Sequence, residues 1–200
     1  KYTISRTDYS MDVRYGLDES LPLDASKSNS FIYKENILAI YGAIARSFTY
    51  WQGKVGLRAE QTEYTGHSPS SLQRINRNQW NLFPSAYLNR KIGENHSFTL
   101  SYSRRITRPG FRQLNPFIYY TSINSIQEGN PNLHPYYGNN LQLEYLLKRM
   151  YSVTFGFQNI ADGITNKITN SGDLVISRDE NIYDDHNFFI SLYTPIKITS

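Results

Sequence analysis

Two runs of this chain alternate apolar and polar residues so regularly that they fit only extended strands with one oily and one wet face. In residues 97–107 (SFTLSYSRRIT), Phe98, Leu100, Tyr102 and Ile106 share one parity. Ser97, Thr99, Ser101, Ser103, Arg105 and Thr107 share the other. In residues 140–147, Leu141, Leu143, Tyr145 and Leu147 alternate with Asn140, Gln142 and Glu144. Strand side chains point to opposite faces with a period of two, so each run carries one apolar and one polar wall. Arg104 falls on the oily parity and breaks the pattern.

The rest of the chain follows suit. A first strand is expected over 1–15, with Tyr2, Ile4 and Val13 as apolar positions. A second is centred on 37–50 (ILAIYGAIARSFTY). It is apolar on both parities as far as Ala45, so a buried helix fits equally by periodicity, and the neighbouring strands decide for a strand. Further strands are expected at 54–64, 79–92, 151–158 and 187–193, with a strand stub after Pro195. Pro84 has no N–H to give a ladder and predicts a bulge or a strand start. Short turns are expected at 51–54 (WQGK), 93–96 (GENH) and 148–150, and polar loops at 17–30, 66–78, 107–137 and 160–185. The last holds a small hairpin across 170–173.

Long and short connections therefore alternate strictly, which gathers every short turn at one end of an up-and-down meander. Transmembrane β-barrels have this asymmetry, with short periplasmic turns and long extracellular loops. Hydropathy does not oppose the idea. No apolar run is long enough for a helix to cross the roughly 30 Å hydrocarbon core, yet a strand crosses in about 9–11 residues with half of them polar. The expected fold is all-β: an antiparallel up-and-down meander forming a partial transmembrane β-barrel, about eight strands of a larger one. Arg104 and Arg46 would then face lipid, but each lies near a strand end, where a lipid phosphate can pair with it.

Composition excludes several functions. With no Cys, disulfides, zinc–thiolate sites and Cys nucleophiles are ruled out together. A formal charge of +4 spread along the chain gives no nucleic-acid footprint. His67, His96, His134 and His186 have no ligand spacing, and the acidic run 179–187 (DENIYDDHN) lacks the spacing of a calcium loop. No metal, no cofactor and no catalytic constellation is expected, so the chain does not read as an enzyme. The 107–137 loop is the better candidate. Asn115, Phe117, Tyr119, Tyr120, Asn124, Asn130, Asn132, Tyr136 and Tyr137 supply rings and amides able to stack on and hydrogen-bond a sugar or other amphipathic ligand. Against this, Pro109, Pro116, Pro131 and Pro135 favour a loop folded on its own small core, because a long ordered loop must bury something.

Several landmarks resemble a known family. GLRAEQT (56–62), LFPSAYL (82–88), LSYSRRITRPGFRQLNPF (100–117), EGNPNLHPYYGNNLQLEY (128–145) and SLYTPIKIT (191–199) are similar, in order, to the barrel of TonB-dependent-receptor-like outer-membrane proteins of the Bacteroidetes type. The block 101–145 is the specific part, and the first forty residues match loosely. The resemblance implies a bacterial outer-membrane barrel of about 22 strands around a plug, energised by TonB to import a scarce nutrient. Residues 1–200 would be part of that single barrel domain, with the plug and terminal strands absent from the chain. Its partners would be membrane lipid, the plug and through it TonB, and an unidentified nutrient. Arg105 and Arg108, on or near the lumen parity, become candidate plug contacts. The alternatives are a passive porin-like channel, or a carbohydrate-binding β-domain in which Phe98, Leu100, Tyr102, Leu141, Leu143 and Tyr145 would form the core.

Overall fold

The computed structural model describes residues 2–11, 28–68 and 74–195. Val13, most of the 17–30 loop, residues 69–73 of the 66–78 loop and the stub at 196–200 lie outside them. Eight long strands form the wall: β1 (Tyr2–Met11), β2 (Asn29–Ser47), β3 (Trp51–His67), β4 (Arg74–Ile92), β5 (His96–Thr107), β8 (Tyr136–Leu147), β9 (Tyr151–Ser171) and β10 (Leu174–Tyr193). Each pairs antiparallel with its neighbour in that order, and the sheet does not close. Between β5 and β8 lie a single helical turn, α1 (Phe111–Leu114), and a small hairpin, β6 (Ile118–Ser122) and β7 (Ser125–Glu128). β7 adds to β10 in parallel, Ser125–Glu128 beside Val175–Arg178.

Register sorts the side chains into rows. One outward row runs Ile44, Val55, Ala86, Tyr102, Leu141, Phe157 and Phe188. The row opposite in sense runs Ala43, Gly56, Ser85, Ser103, Asn140, Gln158 and Asn187. The wall is apolar outside and polar inside. Trp51 at the base and Trp80 near the top both point outward and are exposed. Trp80 stands opposite Gln61, ten residues along β3 from Trp51, a height of about 25 Å at ~3.3 Å per residue and ~40° tilt, which matches a hydrocarbon band with aromatic margins.

Above the Trp80 rung the faces exchange character. The next outward rungs are Asn36–Glu63–Asn78 and Lys34–Thr65–Asn76. Inward, Phe31, Tyr33, Tyr64 and Ile75 are buried together with Leu114 and Leu133 of the long connection. The strands leave lipid for water on the outside and gain a loop-covered core on the inside.

Several expectations need correcting. Residues 66–78 are not mainly loop: β3 runs through His67 and β4 starts at Arg74, because the inverted pattern above the membrane reads as merely polar. WQGK is not the turn. The chain reverses at Phe48–Tyr50, where the Phe48 N–H donates to the Trp51 carbonyl at 2.7 Å, and Trp51 and Gly53 continue the outward row. Pro84 makes no bulge. It stays in register with Leu57 one residue past the end of the β4–β5 ladder, which stops at Ser85–Ser103, so no β5 carbonyl is left waiting for its N–H. Residues 160–185 are the arms of the β9–β10 hairpin, which turns at Gly172–Asp173 inside the expected window, with Gly172 at φ +61°. The fourth long connection is therefore a tight turn on tall strands.

Leu141 and Asn140 offer a test, one facing out and one facing in. Leu141→Arg should cost about 2–4 kcal/mol in bilayer folding, the known penalty for a mid-membrane Arg, whereas Asn140→Arg should cost little. Urea-dependent folding into lipid vesicles measures both, and equal costs would contradict the assignment of faces.

Candidate functional site: a loop tied across the mouth of the wall

The connection 108–135 leaves β5 and folds over the inner face of the wall at its long-connection end. Its first residue fastens it. Arg108 Nη2 donates to Glu60 Oε2 at 2.6 Å and to Thr62 Oγ1 at 3.1 Å, and its Nε lies 3.7 Å from Glu35 Oε1. Arg58 pairs with the other oxygen of Glu60. Glu60 and Thr62 are 4% and 0% exposed, so these two acceptors are shielded from water. Glu35 sits three residues along the ladder from the Trp80 rung, outside the membrane band. Burial pushes its carboxyl up and the Arg108 guanidinium pulls it back down. Arg77 adds a bond to the Asn132 carbonyl at 3.1 Å, and the Tyr137 hydroxyl donates to Asn81.

The far side of the loop is fastened to β10. Gln113 Nε2 donates to Asp179 Oδ2 at 2.8 Å, and Asn130 Nδ2 to the Asp179 carbonyl at 2.9 Å. Asn181 accepts from the His134 N–H and donates to the His134 and Asp162 carbonyls. Arg178 pairs with Glu128 at 3.1 Å. Sequence reading missed Glu60, Thr62, Asp179 and Asn181 as anchors. The signal for Glu60 was present, since GLRAEQT puts it on the polar parity of its strand.

The loop candidates separate by burial. Asn115, Phe117 and Asn130 are buried within the loop's own packing. Phe117 meets Tyr119 edge-on at 4.8 Å between centroids, and Asn130 Oδ1 caps the Asn132 N–H at 3.0 Å. Tyr120, Asn124 and Asn132 are exposed, while Tyr119, Tyr136 and Tyr137 are half-buried. Of the nine, Tyr119 lines a cleft of about 380 Å³ shared with Arg112, Gln113, Gln127, Glu128 and Asp179. Of the two arginines, Arg105 is exposed, whereas Arg108 is held by the wall. Arg104 stacks over the Tyr137 ring at 4.5 Å. Gly129 allows the tight fold: a Cβ there would lie 1.8 Å from the Asn115 carbonyl oxygen. Of the histidines, His96 Nδ1 is 2.8 Å from the Tyr145 hydroxyl and His186 Nδ1 is 2.9 Å from Asn159 Nδ2. The acidic run 179–187 lies in β10, where Asp184 accepts from the Asp162 N–H.

An apolar outside and a polar inside on an antiparallel meander define the wall of an outer-membrane β-barrel. The chain belongs to the outer membrane protein beta-barrel family, whose model matches residues 1–200, and its place is the bacterial outer membrane. Among solved structures, the siderophore receptor PirA from Pseudomonas aeruginosa is similar with a TM-score of 0.53 and 15% identity, over 96% of this chain and 46% of that one. A mutant of the ferric enterobactin receptor PfeA from the same organism, in complex with enterobactin, gives 0.53 and 15%, over 96% and 38%. PfeA in complex with BCV-L6 gives 0.51 and 15%, over 96% and 38%. The chain spans less than half the length of these receptors, and the likeness is one of fold. No curated protein sequence matches it. The β-domain alternative fails on exposure: Leu100 and Leu143, assigned to its core, are 43% and 42% exposed.

Removing the Arg108 guanidinium takes a charge-assisted bond from Glu60, which keeps Arg58, and unties the first root of the loop. Arg108→Met should let protease added outside whole cells cut within 108–135, and Gly129→Ala should do the same by steric clash. Glu35→Gln should leave the loop protected, because Glu35 lies 3.7 Å from Arg108 while Glu60 and Thr62 accept its hydrogen bonds. Uncut loops in both variants would show that these contacts hold nothing.

Proposed function

We propose that residues 1–200 are part of the single barrel domain of a TonB-dependent outer-membrane receptor that imports a scarce nutrient. In this reading the plug and the TonB-contacting segment belong to other parts of the protein, and the barrel is completed by further strands. The observation that carries the proposal is the 108–135 loop, tied at one root to β3 and at the other to β10, with a cleft between charged and aromatic side chains at its edge. A receptor needs an ordered capture surface above a polar lumen, and both features occur together on this wall. The fold likeness to siderophore receptors supports the same reading.

The nutrient is captured by the loop. Tyr119, with Tyr120, Asn124, Asn132, Tyr136 and Tyr137, makes its contacts, while Asn115, Phe117 and Asn130 keep the loop in shape. Arg105, exposed near the lumen, is the better of the two arginines for a plug contact, since Arg108 is already committed to Glu60. In this reading the wall binds and passes the nutrient without transforming it.

A strain lacking the gene, grown with iron chelates, cobalamin or oligosaccharides as the limiting source in turn, should lose growth on one of them and regain it with the wild-type gene. Uptake of that nutrient should stop when a protonophore collapses the inner-membrane gradient, and Tyr119→Ala should raise the half-saturating concentration several-fold. Uptake that survives the protonophore would identify a passive channel and end the TonB reading.

A further inference from the structure

The outward face carries a second feature at its short-turn end. A groove of about 470 Å³ spans two adjacent outward rungs across the wall from β2 to β8, hollowed by Gly53 and Ala86 and walled by Ile44, Leu88, Leu100 and Leu141. At its lower margin stands Arg46, on the lipid-facing parity and exposed. Among the described residues no carboxylate pairs with it. One rung further down, on the far side of β3, Arg90 also faces outward, its guanidinium 4.7 Å above the Trp51 ring. Arg46 stands opposite Gly53, Gly53 opposite Leu88, and Trp51 opposite Arg90, which sets the two arginine Cα atoms roughly 12 Å apart by standard sheet spacings. Two long side chains close that span onto one anion.

We propose that this groove binds one phospholipid of the periplasmic leaflet, with an acyl chain along Gly53 and Ala86 and the headgroup phosphate held between Arg46 and Arg90. Charge and position select the occupant. Two outward cations without acidic partners at the edge of an apolar channel require an anion attached to hydrocarbon, since a free anion would not fill the channel and a neutral chain would not answer the charges. The short-turn end faces the periplasm, where the leaflet is phospholipid, so lipopolysaccharide is not the ligand. Trp51 at the same depth is an interfacial anchor, and stacking on it holds Arg90 at the headgroup level.

The test is native mass spectrometry of the whole protein extracted from outer membranes, delipidated, and reloaded from vesicles of phosphatidylglycerol or of phosphatidylethanolamine. Wild type should retain one phosphatidylglycerol that survives mild activation. The double variant Arg46→Gln and Arg90→Gln should lower its occupancy at least several-fold. Gly53→Leu, which fills the groove and spares both arginines, should do the same. Lys91→Gln, at similar depth on the lumen face, should not. Unshifted occupancy in the arginine variant, equal loss in Lys91→Gln, or lipopolysaccharide as the retained species would each overturn the proposal. Heat-modifiable gel mobility verifies that each variant folds. If Gly53→Leu does not fold, Ala86→Leu takes its place.

Discussion

A backbone that enters hydrocarbon finds no water, and each N–H or C=O left unpaired there costs several kcal/mol. Most of the wall answers with continuous ladders, the exception being β4–β5, whose pairing ends at Ser85–Ser103. β2, β3 and β4 hold one register from the base past the Trp80 rung, and β5, β8 and β9 do the same across their shared rows. The register shifts occur elsewhere, at Asn181–Asp185 beyond the Phe157–Phe188 rung and within the β6–β7 hairpin. There water or loop atoms are at hand, and a bulge can bend a strand without stranding a polar group in lipid.

The same strands then pass into a second solvent, and this passage creates the capture surface. A strand that stayed apolar outside above the membrane would expose an oily face to water. This chain reverses both parities instead, with Asn36, Glu63 and Asn78 outward and Tyr33, Tyr64 and Ile75 inward. An apolar inner face above a polar lumen needs a cover. Leu114 and Leu133 supply it, drawing the 108–135 loop inward and keeping it from projecting as a free lid. The ionic contacts at Arg108 fix where the cover sits, and the apolar contacts supply the area.

The reversal also explains what could be read in advance. Within the membrane band the period-two pattern was clear outside β2, so the strands around Leu100, Leu143 and Val153 and the turns at Gly93 and Lys148 were legible from residues alone. Above it, RINRNQW and NKITNSGDLVISRDENIYDDHN lose the apolar half of their alternation, because their covered faces pack on loop atoms far away in sequence. Polar strands of that kind cannot be told from loops by periodicity. The loop's tendency to pack on itself was legible from its prolines and rings. The anchors were not, since Arg108 meets Glu60 and Asn130 meets Asp179 only after the sheet has set its register.

Closing a long connection is cheap, and ordering it is not. Doubling a loop's length costs only about 0.6 kcal/mol in closure entropy, whereas each residue held in one conformation costs about 1–2 kcal/mol. An ordered 108–135 therefore depends on contacts distributed along its length, and the anchors at Arg108, Gln113, Glu128, Asn130 and His134 divide it into short spans. Each partner in the wall, from Glu60 to Asn181, belongs to a strand whose position the membrane ladders already fix. The rigidity of the band is thereby transmitted to the loop, and the cleft beside Tyr119 and Asp179 has a shape before any ligand arrives. A preformed cleft loses less entropy on binding than one that must be assembled. Residues that line it without touching the wall's anchors, such as Gln127, can vary without disturbing the wall, and Glu60, Thr62 and Asn181 cannot.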